Sequence, residues 1–430
     1  MHNILDPILY LEVLKLKYYF NTAVKNLEHF FDSYVDKNTN FSTSIDFTNF
    51  DSSKVKSTRS LFFGCNILIS IDFTNFNTSL IEDMSFMFCG CYSLESLDLS
   101  GFNTSLVTDI GFLFKNCYNL ISINLSNFIS SKVTDLRSLF NNCSSLQSID
   151  LSSFNTTNVK YMNYMFSGCI HLISINLTYF LTSNVLSMEG LFHNCILLES
   201  LDLSNFDTSL VTDMRYMFFG CQNLISIDFS NFDTSKVTLM NKMFYNCKSL
   251  KTLDLTNFNT SLVQTMGYMF GGCQSLESIN ISNFDTSSLT NMQNIFYNCY
   301  SLKSIDISNF NTSNVTLMDN MFFGCRNLIS LDISKFDTSK LTYMVQMFYG
   351  CLSLEFINMS NFVTNHINDM NSLFYNCKNL TSIDISSFDT SSVISMSHMF
   401  SGCESLKSLD ISHFNTTKVE YMDNMFKSCK

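Results

Sequence analysis

Between one cysteine and the next, the chain runs through a fixed order of apolar and polar positions. In residues 221–244, CQNLISIDFSNFDTSKVTLMNKMF, the apolar Leu224, Ile227, Phe229 and Phe232 are separated by Ser226, Asp228 and Ser230. Such alternation predicts a short strand with one buried face. Further along, Val237, Met240, Met243 and Phe244 stand at i, i+3, i+6 and i+7, the spacing of one face of a short helix. The intervening DTS suits a turn and a helix N-cap, with a hydroxyl accepting from an orphan N–H. Gly220 precedes Cys221 and Asn246 precedes Cys247. Gly and Asn adopt positive φ most readily, so each predicts a left-handed stop to its helix.

The pattern repeats. Cysteines fall every 26 residues from Cys65 to Cys429, and only Cys89 lies outside the series. Leu stands three places after each, from Leu68 to Leu406, and Phe recurs from Phe76 to Phe414. Thr follows two residues after that Phe in every copy but one, where Ser130 stands. Of 23 methionines, all but Met1 and Met359 occupy the two predicted helix columns. A strict period of this length marks a solenoid, in which no coil buries its own apolar side and stacking buries all of them. Residues 1–38 break the pattern. DPILYLEVLKLKYYF has Asp6 as N-cap and Pro7 at the first helical place, and a second helical stretch is expected around Leu27 to Val35. The expected organisation is therefore an N-terminal helical cap, 1–38, and a solenoid, 39–430. Its first repeat is degenerate, with Thr39 in place of Cys and Ser42 in place of Leu, while Val55, Leu61 and Phe62 keep the frame. The chain stops in mid-repeat, which suggests a piece of a longer protein.

The strand, Cys-x-x-Leu-x-x-Ile/Leu-x-Leu/Ile, is close to a leucine-rich-repeat strand. The whole unit, GCQNLISIDFSNFDTSKVTLMNKMF with Phe three places before each Cys, resembles the BspA-like, treponemal-type leucine-rich repeats of bacterial and protist surface proteins, in their longer variant. The likeness covers residues 39 to 429. It implies an α/β fold: a right-handed solenoid with a parallel sheet on one face, short helices on the other, and roles in adhesion and binding. Phe232 and its equivalents stand where the general leucine-rich consensus places Asn, which puts a buried asparagine ladder in doubt.

Charge narrows the partners. The net charge of −12 argues against nucleic acid, which needs a basic face. No run of 18 apolar residues predicts a membrane span, and no secretory or lipid-anchor motif is recognisable. The cysteine column reads as buried free thiols, because equivalent side chains in parallel coils point the same way; disulfides and a metal are the rivals. No Ser–His–acid spacing, phosphate loop or zinc signature is present, so neither catalysis nor a cofactor is expected. Asn77, Asn103, Asn155, Asn259, Asn311 and Asn415 are glycosylation acceptors only in a secreted eukaryotic chain.

Two strand columns form the expected ligand face. One carries Asp202, Asp228, Asp254, Asn280, Asp306 and Asp332, a solvated polar ladder whose rival reading is calcium. The other varies from coil to coil and includes Lys251, Glu277 and Lys303, whose alternating signs favour cross-strand pairing. A non-enzymatic module binding a protein or glycan at a cell surface is the expected function. An intracellular scaffold, or the repeat region of a larger protein active elsewhere, is the alternative.

Overall fold

The computed structural model describes residues 24–31, 44–47 and 50–429. The chain divides into two compact units, Met1–Phe206 and Asp207–Lys430. Both are parallel β-solenoids built from the same coil. The first holds β1 (Ser44–Asp46), β2 (Ser70–Asp72), β3 (Ser96–Asp98), β4 (Ser122–Asn124), β5 (Ser148–Asp150) and β6 (Ser174–Asn176). The second holds β7 (Thr252–Asp254), β8 (Ser278–Asn280), β9 (Ser330–Asp332) and β10 (Phe356–Asn358). Pairing is parallel and in register at the repeat length, as in Ser96↔Ser122, Leu97↔Ile123 and Asp98↔Asn124. In β3, Leu97 is buried between exposed Ser96 and Asp98, the alternation expected of a strand with one wet face.

The expected short helices are not there. Among the described residues there is no α-helix, and the segment carrying the Met and Phe columns is a train of tight turns. The N–H groups of Met243, Tyr245 and Cys247 donate to the carbonyls three residues back, at Met240, Lys242 and Phe244. The N–H groups of Met240, Lys242, Phe244 and Asn246 donate to the next coil, at Thr265, Gly267, Met269 and Gly271. Alternate donors are thus exported to the neighbouring coil, so no i→i−4 ladder can close. The apolar spacing misleads because successive three-bond turns bring residues inward at nearly the helical interval. Val237, Met240, Met243 and Phe244 are all fully buried.

The left-handed residue ahead of each cysteine is confirmed, with φ of 71° at Gly220 and 60° at Asn246. It supplies the positive φ that the third residue of the turn Phe244–Cys247 requires. A second left-handed position, four residues earlier in every coil, had no sequence signal: Phe86, Lys242, Gln346 and His398 occupy it with φ of 58°, 56°, 55° and 59°. Each such residue costs about 1–3 kcal/mol, offset by the inter-coil bonds on either side of it.

Gly and Asn in the first column are complementary as well as interchangeable. A Cβ on Gly272 would lie 2.1 Å from Asn246 Oδ1, and one on Gly168 would lie 2.1 Å from Asn142 Oδ1. The Asn amide fills the space that the next coil's glycine leaves empty.

Three further ladders bind coil to coil. Phenylalanine rings stack nearly parallel, with centroids 5.5 Å apart for Phe114–Phe140 and 5.4 Å for Phe296–Phe322. Buried threonines take the place of an asparagine ladder: the hydroxyl of Thr104 donates to the Ile129 carbonyl (2.9 Å) and accepts from the Ile129 N–H (2.7 Å). Thr234 donates likewise to the Asn259 carbonyl at 2.9 Å. The expected N-cap role of this threonine is therefore replaced by a bond to the next coil. The cysteines are free, and thiols of the 26-residue series donate to a carbonyl of the coil before, as Cys143 Sγ does to Phe114 at 3.2 Å and Cys247 Sγ to Phe218 at 3.1 Å.

The helical cap is likewise not supported. Residues 6–20 lie outside the described residues. In the described part of the second expected helix, Asn26 bridges Ser57 in parallel and Phe31 stacks on Phe62 at 5.3 Å, so residues 24–31 continue the turn train.

Candidate interaction face

The strand of each coil turns two kinds of side chain outward. Ser and Asp/Asn recur almost without change, and the Asp and Asn side chains have a structural task. The Oδ1 of Asp202 accepts from the Ser204 N–H at 3.0 Å, Asp228 from Ser230 at 2.8 Å and Asp254 from Thr256 at 3.0 Å. Asp306 and Asp332 accept from Ser308 and Ser334, both at 3.0 Å, and Asn280 accepts from the Ser282 hydroxyl at 3.0 Å. Each closes a turn that ends the strand. The Ser204 hydroxyl and N–H hold Asp202 below the usual carboxylate range; for Asp306 and Asp332 the backbone N–H leads and the hydroxyl follows. Among the described residues, no group of three or more His, Cys, Asp or Glu is arranged to hold a metal ion.

The column four residues after each cysteine does no such work, and there the two units differ. In the second unit the expected face residues neutralise one another. Lys303 Nζ lies 2.9 Å from Glu277 Oε2, and this bond holds Glu277 below its ordinary range. Lys251 adds a weaker pull on Glu277, and the Glu277 N–H donates to the Lys251 carbonyl at 2.9 Å. Nearby cations are also engaged: Lys378 with Glu404 at 3.0 Å, Lys248 with Gln222 at 3.0 Å, and Arg326 over the Tyr300 ring at 4.2 Å.

In the first unit the same column reads Ile69, Glu95, Ile121, Gln147, Ile173, Glu199. Backbone bonds tie neighbouring members together, Glu95 to Ile69 at 3.3 Å and Ile121 to Glu95 at 2.9 Å. Ile69 is 37%, Ile121 55% and Ile173 55% exposed. The strand segments 66–74, 92–100, 118–126, 144–152, 170–178 and 196–204 contain six carboxylates, Asp72, Glu95, Asp98, Asp150, Glu199 and Asp202, and no Lys or Arg. Their one basic side chain, His171, lies with Nδ1 2.7 Å from the Ser144 carbonyl. The residues expected from sequence on the variable face, Lys251, Glu277 and Lys303, belong to the later coils; in the earlier ones the signal is the regular alternation of Ile with Glu or Gln.

Two other surfaces carry less. A cleft of about 620 Å³ at the loop edge of the first unit is lined by Ser152, Asn155, Thr178, Tyr179, Leu181 and Asn205. Tyr179 stands in a column of asparagines, where Asn127 and Asn205 donate to Ser100 and Thr178 of the preceding coil at 3.0 and 2.6 Å. Tyr179 has no amide to make that bond, and its ring is 66% exposed. In the second unit Tyr297, Phe323, Tyr349 and Tyr375 stack at 4.9, 4.5 and 4.5 Å. Their ring faces are spent on one another, leaving only edges for a ligand. Among the described residues no helix is long and apolar enough to cross a membrane.

No curated protein matches the sequence. Similar solved structures include a leucine-rich repeat protein from Bacteroides ovatus, 22% identical over 76% of this chain and 82% of that one, with a TM-score of 0.47. A leucine rich cell surface protein from Faecalibacterium prausnitzii is 20% identical over 75% of this chain and 85% of that one, with a TM-score of 0.38. A leucine-rich repeat protein from Eubacterium ventriosum is 17% identical over 84% of this chain and 86% of that one, also with a TM-score of 0.38. One family description matches in overlapping stretches, residues 25–127, 90–195, 113–223, 171–278, 268–357 and 353–430. These stretches together take in most of the sequence, and the chain belongs to the family described as Mycoplasma protein of unknown function, DUF285.

Proposed function

We propose that this chain is a non-enzymatic interaction scaffold of the BspA-like leucine-rich-repeat type, displayed at a cell surface, which binds a protein or glycan ligand on its strand face. One observation carries the reading. Within a coil whose Ser, Asp, Thr, Phe and Cys columns are tied to neighbouring residues, the position after the inward Leu changes from coil to coil while remaining exposed, as at Ile121, Ile173 and Lys251. A position free of structural duty is where a repeat scaffold can vary its ligand contacts without cost to the fold. The acidic balance supports a ligand other than nucleic acid. A second reading, an intracellular scaffold, is favoured by sixteen free cysteines, of which all but Cys429 are buried.

Photo-crosslinking residues placed at positions 121 and 329, with a turn-face position such as 160 as control, test the proposal in cells of the source organism. The expected result is a defined crosslinked partner from the strand face alone, identified by mass spectrometry and confirmed by titration. Crosslinks from position 160 alone, or none, would overturn it. Labelling of intact cells with a membrane-impermeant reagent separates the two locations.

A further inference from the structure

We infer that the strand face of the first unit receives a cationic, amphipathic helical segment of a partner protein, with its apolar residues on Ile121 and Ile173 and its lysines or arginines toward Glu95 and Glu199. The inference rests on the scaffold reading and names the partner's chemistry.

Three observations combine. The face carries six carboxylates and no Lys or Arg in its strand segments. A surface of one sign attracts its complement, fixes the register of docking and suppresses like-charged partners. Its exposed apolar residues, Ile69, Ile121 and Ile173, recur at every second coil. At a strand spacing of about 4.8 Å they stand roughly 10 Å apart. Seven residues of an α-helix rise about 10.5 Å, so a helix lying along the stacking direction meets successive isoleucines at i and i+7. Glu95 falls between Ile69 and Ile121, bonded through its backbone to both, at 3.3 and 2.9 Å, and Glu199 stands one coil beyond Ile173. Cationic residues about half a repeat along the same helical face would meet them.

The second unit lacks the combination. Its Ile225 and Ile329 are comparably exposed, but Lys251, Glu277 and Lys303 lie between them in the same column, with Lys303 paired to Glu277 at 2.9 Å.

The test uses the full chain and a fluorescent Lys/Leu peptide designed as an amphipathic helix. Its controls are a scramble of the same composition and a Glu/Leu counterpart, followed by anisotropy. Saturable binding of the Lys/Leu helix is expected, weakening as salt rises, with the scramble and the acidic peptide at least tenfold weaker. Glu95→Gln with Glu199→Gln, and separately Ile121→Ser with Ile173→Ser, should each weaken binding at least tenfold; Ile225→Ser with Ile329→Ser should leave it unchanged. These substitutions are at exposed positions, and unchanged thermal melting confirms the fold. Equal binding of the scramble, no loss in the Ile121/Ile173 pair, or equal loss in the Ile225/Ile329 pair would overturn the inference. So would self-association of the chain abolished by Ile121→Ser and Ile173→Ser, because a second copy would then occupy the face. Loss of the peptide result together with a strand-face crosslink in cells would remove the cationic helix and leave the scaffold standing; a silent strand face in both experiments would remove both.

Discussion

The two units share one interior and differ in what they turn outward. Phe140 in the first and Phe322 in the second are fully buried at the equivalent position of their coils, and Cys143 and Cys325 donate to equivalent carbonyls at 3.2 Å. Their strand faces have diverged, one acidic and apolar without strand cations, the other mixed and cross-paired. The difference separates two kinds of constraint. Inward columns are held by ring stacking and inter-coil bonds that tolerate little change. Outward positions are constrained only by what meets them.

The strongest test of the shared interior is a large deletion in each unit. Phe140→Ala and Phe322→Ala should each cost about 3–5 kcal/mol in urea unfolding. Each ring stacks on its equivalent in the coil before, at 5.5 Å from Phe114 and 5.4 Å from Phe296, so the two costs should agree within the usual spread. A cost below about 1 kcal/mol in one unit alone would show that the interiors are not equivalent.

A smaller effect distinguishes the units at the Gly/Asn column. Ala at Gly168 or Gly272 would meet an Asn oxygen at 2.1 Å, whereas at Gly350 the nearest neighbour is Gly324 Cα at 3.8 Å. All three carry positive φ, so each Ala incurs about 1–2 kcal/mol of backbone strain. Gly168→Ala and Gly272→Ala should cost about 1–3 kcal/mol more through overpacking. Asn142 donates to Asn116 Oδ1 at 2.9 Å, which holds it in place. Gly168→Ala is therefore expected to be the worse of the two, and Asn246→Gly should relieve Gly272→Ala more fully than Asn142→Gly relieves Gly168→Ala. Equal costs at all three glycines would refute the complementary fit.

These columns show which features the sequence carried. The repeat length, the inward Leu and Phe, the free thiols and the left-handed residue at Gly220 and Asn246 were readable because each needs a particular residue type at a fixed interval. The choice between helix and turns was not, because Val237, Met240, Met243 and Phe244 satisfy both periodicities. What decides it is the export of N–H groups to the next coil, a partner no local window contains. The second left-handed position was hidden because Phe86, Lys242 and Gln346 have no preference for it; the bonds to the adjacent coils impose it. The alternation along the strand marks Asp228 and its column as outward-facing, but it does not disclose the bond that Asp228 accepts from the Ser230 N–H.

On the faces, effects on stability should be slight. Lys303→Met breaks a pair that is about half exposed on both sides, and its cost should lie within about 0–1 kcal/mol, shrinking with salt. Glu95→Gln in the first unit should move stability by no more than about 0.5 kcal/mol, because among the described residues no cation pairs with it. A melting-temperature loss from Glu95→Gln as large as that from Phe140→Ala would mean the acidic face serves the fold.

The finest contrast is in pH. On the turn face of the first unit, Asp83, Asp109 and Asp135 bridge in succession from coil to coil. Arg59 lies 3.7 Å from Asp83, and Arg137 pairs with Asp135 through two nitrogens. Asp109 lies between them, its Oδ1 accepting from the Gly111 N–H at 2.8 Å. Burial pushes its carboxyl above the usual range; the Gly111 bond opposes this, and the charges of Asp135 and Asp83 add to the rise. The same column in the second unit reads Asp213, Leu239, Thr265, Asn291, Leu317, Tyr343, Asp369, Ser395 and Tyr421, so its two acids are separated and do not bridge each other. A carboxyl whose folded pKa is raised binds its proton more tightly in the native state. Its contribution is therefore favourable below the unfolded pKa, near 3.8, and is lost as pH rises through the folded value. The strand carboxylates have the opposite sign: Asp202, Asp306 and Asp332 stabilise above about pH 4 and cease to do so on acidification. Asp109→Asn keeps an acceptor for Gly111 and removes the charge, so it should raise the unfolding midpoint at pH 7 and lose that advantage as the pH falls below 3.8. Asp306→Asn, in the second unit, should lower the midpoint at pH 7 and become neutral at the same acid limit. If the two substitutions shift the midpoint in the same direction at pH 7, the stacked acids of the first unit are not the source of its pH dependence.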